Sequence, residues 1–235
     1  LTIIFVFSPG SMEPPPLSNK LRLYHVDMNP YGHRVQLILE AKRVQYEVYK
    51  LDPLRLPEWF KAKNPRLKIP VLEIPTESGD KFLFESVVIC DYLDEKYTRR
   101  PLHSRDPFVK AQDRLLIERF NECLSFTLPG LPCKIILLSL PFLLNTSQIF
   151  SGTNYFGGDT PGMLDYMIWP WVERLYLLRC INQAKFEQKR AVFPNFADWG
   201  DQMQLDPAVK KLSHAPMEYL EYYKNARTNS LEFYV

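Results

Sequence analysis

Net charge of one sign is almost absent from this chain: 29 basic against 27 acidic residues leave +2 over 235 positions. The basic residues are scattered and form no stripe, so the footprint of a nucleic-acid binder is missing and a small ligand is expected instead. Cysteine is scarce as well. Cys90, Cys123, Cys133 and Cys180 show neither metal-ligand spacing nor a Cys-x-x-Cys pair. That removes a metal site and a disulfide framework, and free thiols point to a reducing, cytoplasmic compartment. Long apolar runs are missing too. The run within Leu1–Ser11 and the run Ile135–Leu144 are both too short to span a bilayer, and the first lacks the charged opening of a secretory signal. Membrane association is therefore not expected.

What is present is a globular composition, long enough for one large domain or two small ones. Within residues 1–20, Leu1–Ser11 reads as a leader of vector origin, with Met12 a natural start, and Pro14-Pro15-Pro16 after it as an extended segment. Leu21–Val26 reads as a strand, and Tyr31, Val35, Ile38 and Leu39 recur behind it at helical spacing. Asn29-Pro30 between them marks a helix start. Asn is a favoured N-cap, and Pro suits the first helical position because its missing N–H would be unpaired there. The first turn then presents N–H groups and the positive end of the helix dipole beside Asn29, where an anion is favoured. Taken alone, a cap with no further role is the commoner meaning of such an Asn. Tyr46–Tyr49 alternates as a second strand, giving a βαβ unit with parallel strands, and ligands of such units gather at the carboxyl ends of the strands. Asn29 lies at that end.

Pro57-Glu58-Trp59-Phe60 is expected to open a short helix with Pro at its first position. Ile69–Ile74 reads as a strand whose second residue, Pro70, demands an edge or a special peptide geometry. A turn at Glu77–Asp80 leads into Lys81–Phe84 and closes a hairpin. Ser86 then reads as the cap of a helix carrying Ile89, Leu93 and Tyr97, a second helix start open to a carboxylate. Two such starts in one small sheet domain suggest a ligand with two negative ends.

Residues 99–106 lack periodicity and read as a linker between a sheet domain at 21–98 and an all-helical domain at 107–235. Phe108, Ala111, Leu115, Leu116, Phe120 and Leu124 share one apolar face of the first helix there. The proline-interrupted stretch from Gly130 to Asn154 reads as one or two broken helices. Met163–Leu178 reads as a helix kinked at Pro170. Asp165 is placed to accept the N–H of Gly162, and Trp169 and Trp171 belong to the core. Further helices are expected from Pro194, from a cap at Asp206, and over Pro216–Asn225.

Together, Asn29-Pro30-Tyr31-Gly32-His33-Arg34, Pro57-Glu58-Trp59-Phe60, Ile69-Pro70-Val71-Leu72-Glu73, Glu85-Ser86 with Ile89–Tyr97, and Gly157–Asp159 through Trp169-Pro170-Trp171 resemble the omega class of glutathione transferases, particularly its insect members. The resemblance covers most of 21–226. It implies an α/β thioredoxin-like N-terminal domain that binds glutathione as co-substrate, an all-α C-terminal domain that holds a small electrophile, and a homodimer. In the family, the positions matching Glu85 and Ser86 hold the γ-glutamyl end of glutathione. The position matching Ile69, before a cis proline matching Pro70, pairs its backbone with the cysteinyl part. Those matching Lys68 and Leu56 sit by the glycyl carboxylate, and that matching Tyr31 lies near the sulfur.

Three departures from the family pattern matter. Asn29 stands where most omega members have the cysteine that forms a mixed disulfide with glutathione, so thiol transfer through the protein is expected to be lost. Leu56 stands where a lysine is common, with Arg55 beside it, and Cys123–Asn154 follows the family poorly. The implied chemistry is conjugation, with Asn29 as the catalytic residue donating an amide N–H to the sulfur beside the N–H groups of Tyr31 and Gly32. Two other classes share the architecture: non-catalytic carriers of apolar ligands, and intracellular chloride-channel-like proteins.

Overall fold

The structure is a computed structural model that describes residues 5–16, 19–52, 55–125, 153–176, 179–180, 182–219 and 221–222. It divides into two compact units, 1–100 and 101–235.

The first unit runs β1 (Phe5–Phe7), β2 (Leu21–His25), α1 (Pro30–Ala41), β3 (Tyr46–Leu51), α2 (Phe60–Lys63), β4 (Val71–Ile74), β5 (Lys81–Phe84) and α3 (Ser86–Lys96). Its five strands form one mixed sheet in the order β1-β3-β2-β4-β5. β2 and β3 are parallel, as the βαβ unit requires, while β4 runs antiparallel to both β2 and β5. This is the thioredoxin-like arrangement.

Phe5–Phe7, read from the sequence as leader, instead adds an edge strand parallel to β3. The apolar run has the β-branched and aromatic content of a strand, but its partner lies some forty positions away, roughly the kind of non-local pairing that no local pattern reveals. The Phe7 ring stacks on Tyr49 at 5.2 Å and meets Trp59 edge-on at 5.7 Å. The segment beyond is tied down as well: Trp59 Nε1 donates to the Ser11 carbonyl at 3.0 Å, and Lys63 Nζ pairs with Glu13 at 3.0 Å. A short helix at α2 begins at Phe60, later than Pro57, because Phe60 and Lys61 first donate to the carbonyls of Pro57 and Glu58 in a tighter entry turn.

Side chains alternate across β2. Arg22 and Tyr24 face α2, where Tyr24 lies against Trp59 and Phe60. There Glu73, 2% exposed, gathers the Tyr24 hydroxyl at 2.6 Å, Arg22 at 3.2 Å and Lys63 at 3.1 Å. On the other face His25 meets α1, and α1 packs along α3. Lys42, which follows α1, closes that pair. Its side chain is 1% exposed, and its ammonium sits 2.6 Å from Asp94, 2.8 Å from the Tyr97 carbonyl and 2.6 Å from the Arg100 carbonyl. A cation at the carboxyl end of α3 satisfies carbonyls that the helix cannot. Lys42→Met is therefore expected to cost about 3 kcal/mol or more, the usual penalty for removing one partner of a buried pair. Chemical denaturation followed by circular dichroism reads this as a lower midpoint.

The second unit carries α4 (Pro107–Ser125), α5 (Met163–Leu175), α6 (Gln183–Val192), α7 (Pro194–Met203) and α8 (Pro207–Leu212). Its described residues include no strand beyond a single bridge, Tyr155 to Gly158. The apolar face read along α4 splits. Phe120 is fully buried, with its ring 5.5 Å from Trp171 of α5, whereas Phe108 and Leu115 are 70% and 52% exposed. Ile117, outside the expected set, is buried one turn before Phe120 and is 1% exposed.

Trp169 and Trp171 are core residues, as expected. Asp206 caps α8 through the N–H groups of Ala208 and Val209 at 3.0 and 3.1 Å. Asp165 accepts the Gly162 N–H at 2.7 Å, as its spacing suggested. The helix expected over Met163–Leu178 ends earlier, at Leu175 with Tyr176 as its C-cap. The broken helices expected within Gly130–Asn154, apart from its last two residues, and the end of the Pro216–Asn225 helix lie outside the described residues.

Candidate active site

Strand register decides what meets at one end of the sheet. Tyr24 of β2 pairs with Val71 of β4, and Val71 pairs with Phe84 of β5. One residue further on, the β2 end leads toward Asn29, the β4 end is Pro70, and the β5 end is Glu85. The sequence-expected residues Asn29, Ile69, Pro70, Glu85 and Ser86 thus gather where two helices start.

Asn29 is the N-cap of α1. Its Oδ1 accepts the Gly32 N–H at 3.0 Å, and its backbone carbonyl accepts His33 N at 3.0 Å. That corrects one expectation: the Gly32 N–H is taken by the cap and cannot serve an anion. The same bond fixes the amide, because an N–H needs an oxygen opposite it. Nδ2 is therefore the free donor of the amide, and it has no hydrogen-bond partner among the described residues, although Asn29 is buried. Met28 turns the chain into the cap at φ 62. Gly32 is required by close approach: a Cβ there would lie 2.9 Å from the Cβ of His25.

Tyr31 is half-buried with the fully buried Arg34 guanidinium 5.7 Å from its ring centre. Burial pushes its phenol above the ordinary value, and the Arg34 charge opposes the shift. Cys90 of α3 offers no substitute for the missing thiol, since complete burial pushes its thiol up.

Ile69–Pro70 is a cis peptide, as the family resemblance implied. The loop before it is built on Asn64, 0% exposed, whose Oδ1 accepts Arg66 N at 3.0 Å and whose Nδ2 donates to the Lys68 carbonyl at 2.8 Å. Leu67 completes this turn at φ 54. Lys68 is exposed on the same loop.

Ser86, expected as the cap of α3, is instead its first residue, and Glu85 holds the cap position at φ 70 without a side-chain cap bond. Phe84 is still committed to the ladder, so Glu85 alone must turn the chain from strand to helix. Its carboxylate pairs with Arg66 at 3.2 Å. Leu56 is half-buried in the segment after β3, and Arg55 beside it pairs with Asp52 at 3.4 Å. Sequence reasoning missed Arg66, which no motif marks.

The family model for the glutathione S-transferase N-terminal domain matches residues 23–101. Pyrimidodiazepine synthase of Drosophila melanogaster is 42% identical over 192 residues, covering 80% of this chain and 79% of that protein. Glutathione S-transferase omega-2 of Rattus norvegicus is 34% identical over 214 residues, covering 85% and 82%. The chain belongs to the omega-class glutathione transferase family. A Tau-class glutathione S-transferase from mango (Mangifera indica) has the same fold, with a TM-score of 0.71 at 24% identity over 87% of this chain and 97% of that one. As a glutathione transferase this chain is an enzyme with glutathione as its co-substrate. Among its described residues no helix is long and apolar enough to cross a membrane.

Proposed function

We propose that this omega-class transferase conjugates the thiolate of glutathione to small electrophiles and does not relay the thiol through a protein disulfide. The observation that carries the reading is the locked amide of Asn29, with its oxygen on Gly32 and its N–H group without a partner among the described residues. Helix N-termini lower thiol pKa values from about 8.5, so the glutathione sulfur beside α1 is favoured as thiolate. Nδ2 donates to that sulfur and holds it for attack. A hydrogen bond to a charged partner contributes about 1.5–3 kcal/mol, or roughly ten- to hundredfold in rate where it is felt in the transition state.

In this reading Glu85 and Ser86 take the γ-glutamyl end, the Ile69 backbone beside cis Pro70 takes the cysteinyl part, and Tyr31 walls the sulfur. Lys68 and Arg55 serve the glycyl carboxylate in place of the lysine that Leu56 replaces. The electrophile is held by the helical unit. Exposed Phe108, Val109 and Leu115 on α4 support a homodimer, and the free thiols of Cys90 and Cys180 are consistent with a cytoplasmic protein.

Asn29→Ala is expected to lower kcat for conjugation about ten- to hundredfold while leaving the KM for glutathione within about threefold. Asn29→Asp keeps the capping oxygen and places a negative charge by the sulfur, so it should lose at least as much activity while keeping α1 intact. Steady-state kinetics on an electrophile panel reads both. Unchanged turnover in both variants removes Asn29 from the mechanism, and glutathione binding without turnover in the wild type rejects conjugation. The identity with pyrimidodiazepine synthase favours a second reading, in which the substrate is a precursor of a pyrimidodiazepine. Product analysis with such a precursor separates the two.

A further inference from the structure

We infer that Arg66 reads the α-carboxylate of the γ-glutamyl end of glutathione and so sets the selectivity of this site for a free amino-acid terminus. The inference rests on the placement of glutathione proposed above. Arg66 stands on the loop clamped by buried Asn64, with its backbone N–H fixed at 3.0 Å, so the side chain leaves a defined point rather than a loose tip. Its guanidinium is 3.2 Å from Glu85, and the two side chains are 61% and 51% exposed. An exposed pair of this kind contributes little to stability. Its place beside the start of α3 therefore asks for another explanation.

A guanidinium has five N–H donors, and the Glu85 contact occupies one. Glu85 holds the cap position of α3 without a side-chain cap bond, so its own side chain leaves the first N–H groups of the helix to another acceptor. An amino-acid terminus presents an ammonium and a carboxylate on one carbon. Glu85 matches the ammonium, and the carboxylate falls between the start of α3 and the remaining donors of Arg66. The Arg66–Glu85 pair holds this charge pattern ready before the ligand arrives, with a planar fork suited to a carboxylate.

Glutathione is compared with its analogue lacking the γ-glutamyl α-carboxylate, 4-aminobutyryl-cysteinyl-glycine, by calorimetry on wild type, Arg66→Ala and Arg66→Lys. The wild type is expected to prefer glutathione. Arg66→Ala should weaken glutathione binding about tenfold and analogue binding by less than about twofold, with Arg66→Lys intermediate. Equal weakening of both ligands, or no weakening of either, overturns the role of Arg66 while leaving the glutathione site standing. A wild-type protein that binds neither ligand overturns the placement of glutathione, and Arg66 with it.

Discussion

Asp165→Ala is expected to destabilise the helical unit by about 4 kcal/mol or more, enough to unfold many single domains. The carboxylate is 0% exposed and accepts four N–H groups: Phe156 N at 3.0 Å and Trp199 Nε1 at 2.7 Å on Oδ1, and Gly157 N at 2.9 Å and Gly162 N at 2.7 Å on Oδ2. Burial pushes the carboxyl up and the four donors pull against that, with the balance at about 6. Removing the acceptor strands several buried donors at once, each costing about 1–3 kcal/mol. It also unties the turn at Gly157, where a Cβ would lie 2.4 Å from Gly162 N, from the start of α5. Asp165→Asn should fare only slightly better, because its amide group must face one of the same N–H donors. Urea unfolding followed by tryptophan fluorescence measures the change; a midpoint equal to wild type would show that the turn holds without its acceptor.

The parts of this architecture written in short-range pattern were legible. Asn29-Pro30 marks a helix start by the chemistry of its two residues, and the alternation in Tyr46–Tyr49 marks a strand. Asp165 sits at the spacing from which a side chain reaches back to Gly162. What was not legible depends on distant partners. The pairing of Phe5–Phe7 with β3 cannot be read from either segment alone. Nor can the exposure of Phe108 and Leu115 on α4, because periodicity shows which residues share a face but not whether anything covers it. Ser86 looked like the cap because serine favours that role, yet the ladder ends at Phe84 and the turn falls to Glu85. Arg66 carries no signal, since its meaning comes from Glu85 across a fold in the chain.

Asn29→Cys is expected to create a thiol transferase from this chain, with glutathione-dependent disulfide exchange rising at least about a hundredfold over a near-zero background. A thiol at the cap of α1 gains the field of the helix N-terminus, which lowers thiol pKa values well below 8.5 and raises the thiolate fraction at neutral pH. Exchange proceeds by thiolate attack on a disulfide sulfur, so the new side chain would pass through a mixed disulfide with glutathione. The amide of Asn29 has no such step. Loss of the cap oxygen that holds Gly32 should cost about 1 kcal/mol of stability, too little to unfold the unit. A folded Asn29→Cys protein without exchange activity would mean that the surroundings of position 29, and not only its missing thiol, depart from the family.

The most direct test is a paired measurement on the unaltered chain: conjugation across an electrophile panel, and mapping by mass spectrometry of glutathione adducts after exposure to oxidised glutathione. Mapping is needed because Cys180 is exposed and can be modified on its own. Conjugation activity with no adduct-dependent thiol transfer is the expected result. Thiol transfer at a rate comparable to conjugation, or glutathione binding with no conjugation at all, would contradict a site organised around the amide of Asn29.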